Sequence, residues 1–361
     1  MPLSGSKEKL FQRYLTWIYR QSKINQHLDT VLPTAKVIPE ERDQRKIGAA
    51  ALQIKLELYD TPFDYIDEMH RRVREAAQAG ARLVAFPEYN NISIFGMLPG
   101  IEKMEEAYGA KNGDRLSGKK TPAASDEDIS LSDLFRYTSP VVESLVASVY
   151  SRFASAYGLY IMAGSYIHTD RDGSLVNRAY LFAPDGLLLG TQDKVHLLPL
   201  EEQWIEKRGK SFSVFQTTLG RLAMPVCMDA TYYESFRILE LQDTDIAFLP
   251  IANPEEYNYW LALRGIWPRV QECPLYGVKS SLVGSIAGLT YTGRAGIYAP
   301  LELTADGSGI LAEVEPHDRE AMAFAYLDLE ALHELRRNHP WRDQNLPLYR
   351  KYFPAIYKNR L

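Results

Sequence analysis

The sequence predicts an α/β protein, and three observations carry that expectation. Short apolar runs suited to buried strands recur along the chain, amphipathic stretches with a helical period separate them, and the composition is that of an ordinary globular protein. The 361 residues are 46% apolar and 24% charged, with 23 Gly and 20 Pro. Those proportions exclude collagen, coiled coil and wholesale disorder. A chain of this length can bury a sizeable core, in one large domain or two smaller ones.

Residues 1–45 read as an arm. Leu10, Phe11, Tyr14, Leu15, Trp17 and Ile18 recur at helical spacing among Lys7, Lys9, Arg13 and Arg20, which predicts an amphipathic helix. A membrane-surface helix would carry a denser basic cluster. The stripe is therefore expected to pack on its own body or on a sister subunit. From Ile47 onward strands and helices alternate. IGAAALQI (47–54) is a strand of small residues. Pro62 to Gln78 is a helix with Ile66, Met69, Val73 and Ala77 on one face and Gly80 as its stop. RLVAFPE (82–88) is a second buried strand. Pro140 to Tyr157 is a helix carrying Val142, Leu145, Val146, Val149 and Phe153, stopped at Gly158. LYIMAGSYI (159–167), RAYLFAPDG (178–186), RLAMPVC (221–227) and DIAFLPIA (245–252) continue the strands. Alternation of this kind implies a sheet covered on both faces. Segment 91–139 is the irregular part, with an acidic Ser-Asp-Glu-Asp run and a short helix expected at 101–108. It follows the strand end at Glu88, so a lid-like insertion is expected there. Residues 340–361 form a C-terminal tail.

Charge and cysteine usage narrow the function. Lys+Arg total 41 and Asp+Glu 46, a net charge of −5, so the general attraction of a nucleic-acid binder is missing. The 2 cysteines form no C-x-x-C pair, which points to a reducing, cytoplasmic setting. MPLSGSKEKLFQRYL has no apolar core of a secretion signal. The uncharged run from Ser280 to Gly293 is too short to span a membrane, so no membrane partner is expected. No metal or other cofactor is expected either. The 7 histidines are scattered, without zinc-ligand spacing. GDRLSGKK (113–120) imitates a phosphate loop but ends in Lys120 before Thr-Pro, and GSGILA (307–312) reads as a turn between strands.

Three strand ends each offer one reactive residue: Glu88 closes RLVAFPE, Lys194 follows GLLLGTQD, and Cys227 closes RLAMPVC. Ends of buried strands converge on one edge of a sheet, where α/β enzymes place their chemistry. Taken singly, each has a bland reading as a core thiol, a loop carboxylate or a surface lysine. Together they are a thiol, a carboxylate able to take its proton, and a cation for a developing oxyanion.

FPEYNN around Glu88, DKVHLLPLEE around Lys194 and PVCMDATYYE around Cys227 resemble, in order, the three signature segments of the nitrilase superfamily of carbon–nitrogen hydrolases. LVNRAYLFAPDGLLLG, RVQEC (269–273) and DLEALHELRRNHPWRD (328–343) resemble its supporting segments, and the likeness runs roughly from residue 47 to 350. The resemblance implies a four-layer α-β-β-α sandwich, one domain over 46–361, assembled as a homodimer or higher homo-oligomer. It implies Cys227 as nucleophile, Glu88 as general base, Lys194 as oxyanion stabiliser and Glu201 as the residue orienting the lysine. The backbone N–H of Met228 would be a second oxyanion donor, and Lys194 would lower the Cys227 thiol pKa. Met228-Asp229 stands where true nitrile hydrolysers carry Trp-Glu. The expected substrate is therefore a small linear amide or N-carbamoyl compound. Nitrile hydrolysis at the same site, or a non-catalytic scaffold binding a protein partner, are the alternatives. A papain-like Cys–His reading would make His196 the base, but its place on the lysine loop suits a structural role. Substrate walls are expected from Tyr89, Tyr232, Tyr233, Asn253 and Trp260, by their positions after strand ends.

Overall fold

The computed structural model describes residues 5–34, 46–101, 130–338 and 345–358. The middle of the expected lid, with GDRLSGKK and the acidic run, lies outside the described residues, as does most of the helix expected at 101–108. The first half contains α1 (Gly5–Ile18), α2 (Gln21–Val31), β1 (Lys46–Lys55), α3 (Pro62–Gln78), β2 (Leu83–Ala85), α4 (Leu131–Tyr157), β3 (Tyr160–Thr169), β4 (Leu175–Phe182) and β5 (Leu188–Asp193). The second half contains β6 (Val214–Thr217), β7 (Gly220–Ala223), α5 (Tyr233–Leu241), β8 (Ile246–Ile251), α6 (Tyr259–Ala262), α7 (Ile266–Glu272) and β9 (Tyr276–Ile286). It continues through β10 (Leu289–Tyr291), β11 (Gly296–Tyr298), β12 (Ile310–Glu313), β13 (Ala321–Asp328), α8 (Leu329–Asn338) and α9 (Leu346–Lys358).

The two-residue period of the strands builds the layers. Ala50, Leu52 and Ile54 of β1, Val84 of β2 and Ile161 of β3 share one core with Tyr65, Met69 and Val73 of α3 and Val149 and Phe153 of α4. Their neighbours Ala49, Ala51, Leu83, Ala85 and Met162 point the other way, into a core shared with Ala247 and Leu249 of β8 and Val278 of β9. Phe236 of α5 and Ile266 and Val270 of α7 join that second core. The order is helices, sheet, sheet, helices: a four-layer α-β-β-α sandwich. Strands run β5-β4-β3-β2-β1-β9-β8-β7-β6, with β13 on β1 and with β10 and β11 on β9. The two sheets meet where Gln53–Lys55 of β1 pairs in parallel with Ser281–Val283 of β9.

Local signals explain most boundaries. Thr61 caps α3: its Oγ1 accepts the Asp64 N–H at 3.2 Å, and the Asp64 carboxylate accepts the Thr61 N–H at 3.1 Å. Helix α4 starts nine residues before the expected Pro140, because Ser130 is its cap and accepts the Asp133 N–H at 3.1 Å. Pro140 sits inside the helix, where it leaves one carbonyl without its usual donor. Burial of Leu134 and Phe135 before it and Val142 after it outweighs that defect. Several strands are also shorter than the apolar runs. β2 stops at Ala85 and β7 at Ala223, which leaves Glu88 and Cys227 on loops just past the sheet.

Helices α1 and α2 pack on their own body. Leu15, Tyr19, Ile24 and Leu28 are buried in the core that also takes Leu145 and Val149 of α4. Among the described residues no helix is long and apolar enough to cross a membrane.

Candidate active site

Beyond β7 the chain passes through Met224, Pro225 and Val226 to Cys227, which begins a short 3-10 turn (Cys227–Thr231) with φ 44°. A side chain at positive φ costs roughly 1–3 kcal/mol and persists only where its surroundings hold it there. The fully buried Asp229 does much of the holding. Its Oδ2 accepts the Val226 N–H at 2.9 Å, and its Oδ1 accepts the His196 N–H at 2.8 Å and lies 2.9 Å from His196 Nδ1. From the other side, Arg269 of α7 donates to the Ala230 carbonyl at 3.0 Å. The cysteine turn is thus bolted to the loop that carries Lys194. His196 is absorbed in that clamp, with its ring stacked on Tyr232 at 4.2 Å.

Glu88 lies past the end of β2, bridged to Ser165 of β3. The approach requires Gly164 (φ 84°), where an added Cβ would come within 2.2 Å of the Pro87 carbonyl oxygen. Glu88 is completely buried, and each of its oxygens is occupied. Oε1 accepts Lys194 Nζ at 2.8 Å and Asn177 Nδ2 at 2.8 Å, while Oε2 accepts the Ala252 N–H at 3.0 Å. Lys194, also buried, donates to Glu201 at 2.8 Å. Glu201 accepts the Leu198 N–H at 2.7 Å and the Tyr89 hydroxyl. Glu88, Lys194 and Glu201, more than a hundred residues apart at the extremes, form one interior cluster.

Electrostatics follow from that burial. Burial raises the Glu88 carboxyl, with Lys194 pulling it back down. For Lys194, burial works against the charge, but Glu88, Cys227 and Glu201 more than offset it, and the ammonium is held up. The Cys227 thiol is pushed well above its usual range, first by burial and then by the Glu88 charge. Lys194 does lower it, as expected from the sequence, but by less than those two raise it. The balance of these effects favours the protonated sulfur at rest.

A cavity of about 440 Å³ opens at Cys227 and Met228 and is walled by Leu249, Ile251, Asn253 and Leu198. Asn253 lies on it as expected, with its Oδ1 3.6 Å from the Cys227 sulfur. The other four expected wall residues stand outside the lining. Tyr89 is buried beneath Glu201, Tyr232 covers His196, Tyr233 opens α5, and Trp260 is 75% exposed on α6. Position after a strand end places a backbone, but side-chain direction there depends on the turn. Met228 sits in the first turn of the 3-10 helix, where N–H groups have no partner within the helix.

Several members of the site escaped the sequence reading. Asn177 lies on β4 inside the LVNRAYLF run, where an Asn-Arg pair in an otherwise apolar strand was the available signal. The Ala252 N–H has no side-chain signature. Among the described residues no cluster of three or more His, Cys, Asp or Glu side chains is placed to hold a metal ion.

Comparison with known proteins matches residues 48–268 to the carbon–nitrogen hydrolase family. A probable hydrolase, YhcX, of Bacillus subtilis (strain 168) is 29% identical over 197 residues, 53% of this chain; the match spans only 38% of that relative's own length. A nitrilase of Pyrococcus abyssi is 26% identical over 81% of this chain and 94% of its own. An omega-amidase of Xenopus tropicalis is 24% identical over 75% and 86%. The crystal structure of a carbon–nitrogen hydrolase from Helicobacter pylori G27 superposes with a TM-score of 0.63 at 20% identity, covering 86% of this chain and 99% of that one. That likeness speaks to the fold.

Proposed function

Because this chain belongs to the carbon–nitrogen hydrolase family, we propose that it hydrolyses the C–N bond of a small linear amide or N-carbamoyl compound through a thioester on Cys227. One observation carries the reading. A buried carboxylate, Glu88, holds a buried ammonium, Lys194, at 2.8 Å beside a thiol that opens onto a cavity. Because the thiol is neutral at rest, attack is coupled to proton transfer. Cys227 passes its S–H proton to Glu88 as sulfur bonds to the amide carbon. The carbonyl oxygen becomes an oxyanion, stabilised by Lys194 and by the Met228 N–H, at roughly 3–4 kcal/mol per donor in comparable sites. As the intermediate collapses, the C–N bond breaks and Glu88 returns the proton to the leaving nitrogen, so ammonia or amine departs and a thioester remains. Water then gives a proton to Glu88 and attacks the thioester, and collapse releases the carboxylic acid and the thiol. Glu201 keeps Lys194 aimed, and Asp229 keeps the cysteine turn in place.

Asp229 also bears on the amide preference over nitriles. The position after Met228 is a short, buried clamp residue rather than the glutamate of nitrile hydrolysers. The same reading extends to assembly as a homo-oligomer. Helix α9 exposes Leu348, Tyr352, Phe353 and Ile356, a face suited to a second copy; sedimentation of the chain with and without residues 346–361 reads this directly.

The deciding experiment is ammonia release from a panel of amides, N-carbamoyl amines and nitriles, with Cys227→Ala alongside. Amide or carbamoyl turnover that disappears in the variant is the expected result. Turnover surviving Cys227→Ala, or turnover of nitriles alone, overturns the proposal.

A further inference from the structure

Lys279 is a buried cation that the reaction above leaves unused. It lies on β9 in register with Leu249 of β8, and both residues line the cavity at Cys227. The lysine side chain is 7% exposed, and its Nζ is 3.9 Å from Glu313 Oε1, beyond hydrogen-bond reach. That carboxylate oxygen already accepts the Tyr298 hydroxyl at 2.5 Å. Arg294 lines the same cavity, lies 3.7 Å from Glu313 Oε2 and is held over the Tyr257 ring at 5.0 Å. Its buried Nε has no hydrogen-bond partner. Two cations therefore share one carboxylate, at distances too long to satisfy either. Burial pushes Lys279 down to about 8, with Glu313 opposing and Arg294 adding to the fall. Glu255 and Glu256 also line the cavity but are exposed, where water and salt screen them.

We propose that Lys279 and Arg294 form an anion subsite, so that the substrate carries a carboxylate at the end remote from the scissile amide. A guanidinium held against a ring offers a flat fork of donors to a carboxylate, and the ammonium adds a point charge. Leu249 and Ile251 give the same cavity an apolar wall suited to the methylene chain joining the two polar ends. The inference rests on the reading that amides bind over Cys227.

The test is binding rather than turnover, so that it can fail independently of the proposed reaction. The full-length Cys227→Ala chain is titrated calorimetrically with the monoamide of glutaric acid and with neutral pentanamide. The monoamide is expected to bind at least about 10-fold more tightly, as one charge-assisted contact allows. That preference should disappear when Lys279→Met is added, and should fall in a separate Arg294→Gln variant, whose partly exposed site tolerates change. Lys279→Arg should restore part of it. Absence of monoamide binding, equal binding of both amides, or a preference unchanged by either substitution overturns the subsite. A preference that behaves as expected, in a chain that releases no ammonia from any amide, supports the subsite and removes the reaction instead.

Discussion

Lys194 and Lys279 are both buried lysines on the sheet, and they sit in opposite electrostatic settings. Lys194 has carboxylate oxygens of Glu88 and Glu201 at 2.8 Å each, and its charge is held firmly. Lys279 has one shared carboxylate at 3.9 Å and an aromatic ring at 5.0 Å, and its charge is held weakly. The burial is similar; the difference lies in how many partners each ammonium has. A buried charge with a complete shell is fixed machinery, whereas one with an incomplete shell is poised for a ligand that completes it.

Breaking the complete shell should have the largest effect. Lys194→Met leaves Glu88 and Glu201 facing each other with no cation. Stability is expected to fall by about 3–5 kcal/mol in urea titrations, and amide turnover by at least about 10²–10³-fold. A stable variant with near-normal turnover would erase the contrast between the two lysines. Glu201→Gln is milder, since the amide keeps the shape and Glu88 still pairs with the lysine. A fall in kcat of roughly 10-fold to 100-fold is expected, and an unchanged kcat would mean that Glu88 alone suffices. Asp229→Asn should be smaller again: its one amide oxygen can still accept on one side of the clamp while its NH2 faces an N–H group on the other, and the loss falls on the cysteine turn rather than on a reacting atom. A change within about 10-fold, with Cys227 alkylated at an altered rate by iodoacetamide, is the expected signature of a loosened turn.

The two clusters were not equally legible in the sequence. Glu88, Lys194 and Cys227 each close or follow an apolar run, so local pattern was enough to bring them forward, and the surrounding segments supplied the resemblance. The helix boundaries at Pro62 and Gly158 were readable from caps and stops, while Pro140 misled because a proline looks like a beginning. Lys279 lies inside the strand segment YGVKSSLVG. A charge in a strand whose neighbours are all apolar or small is a signal of a buried cation, but its meaning depends on register. Only the pairing of Lys279 with Leu249, and the approach of Arg294 from beyond β10, place it in the cavity of Cys227. Tyr232 and Trp260 failed for the same reason: turn geometry, which the sequence did not reveal, aims one at His196 and the other at solvent.

The least disruptive change is also the one that separates the clusters most sharply. Lys279 is held down at about 8 in the folded chain against 10.5 for an ordinary lysine. Between those values an unfolded chain binds a proton that the folded chain has released, so stability of the natural protein rises with pH across that window. Below about pH 8 the lysine is charged in both states, and the full penalty of burying it is present. Lys279→Met removes that penalty and keeps most of the volume. The variant is therefore expected to be more stable at pH 7, by on the order of 1–3 kcal/mol. The gap should narrow as pH rises from about 8 towards 10.5. Glu313 and Arg294 are the charged groups facing this lysine and are common to both proteins, so the difference between their urea midpoints at each pH isolates Lys279. A variant less stable than the natural chain at pH 7, or a gap independent of pH, would place Lys279 with Lys194 as a satisfied charge. A gain in stability together with loss of the monoamide preference would mark a residue kept for binding at the expense of the fold.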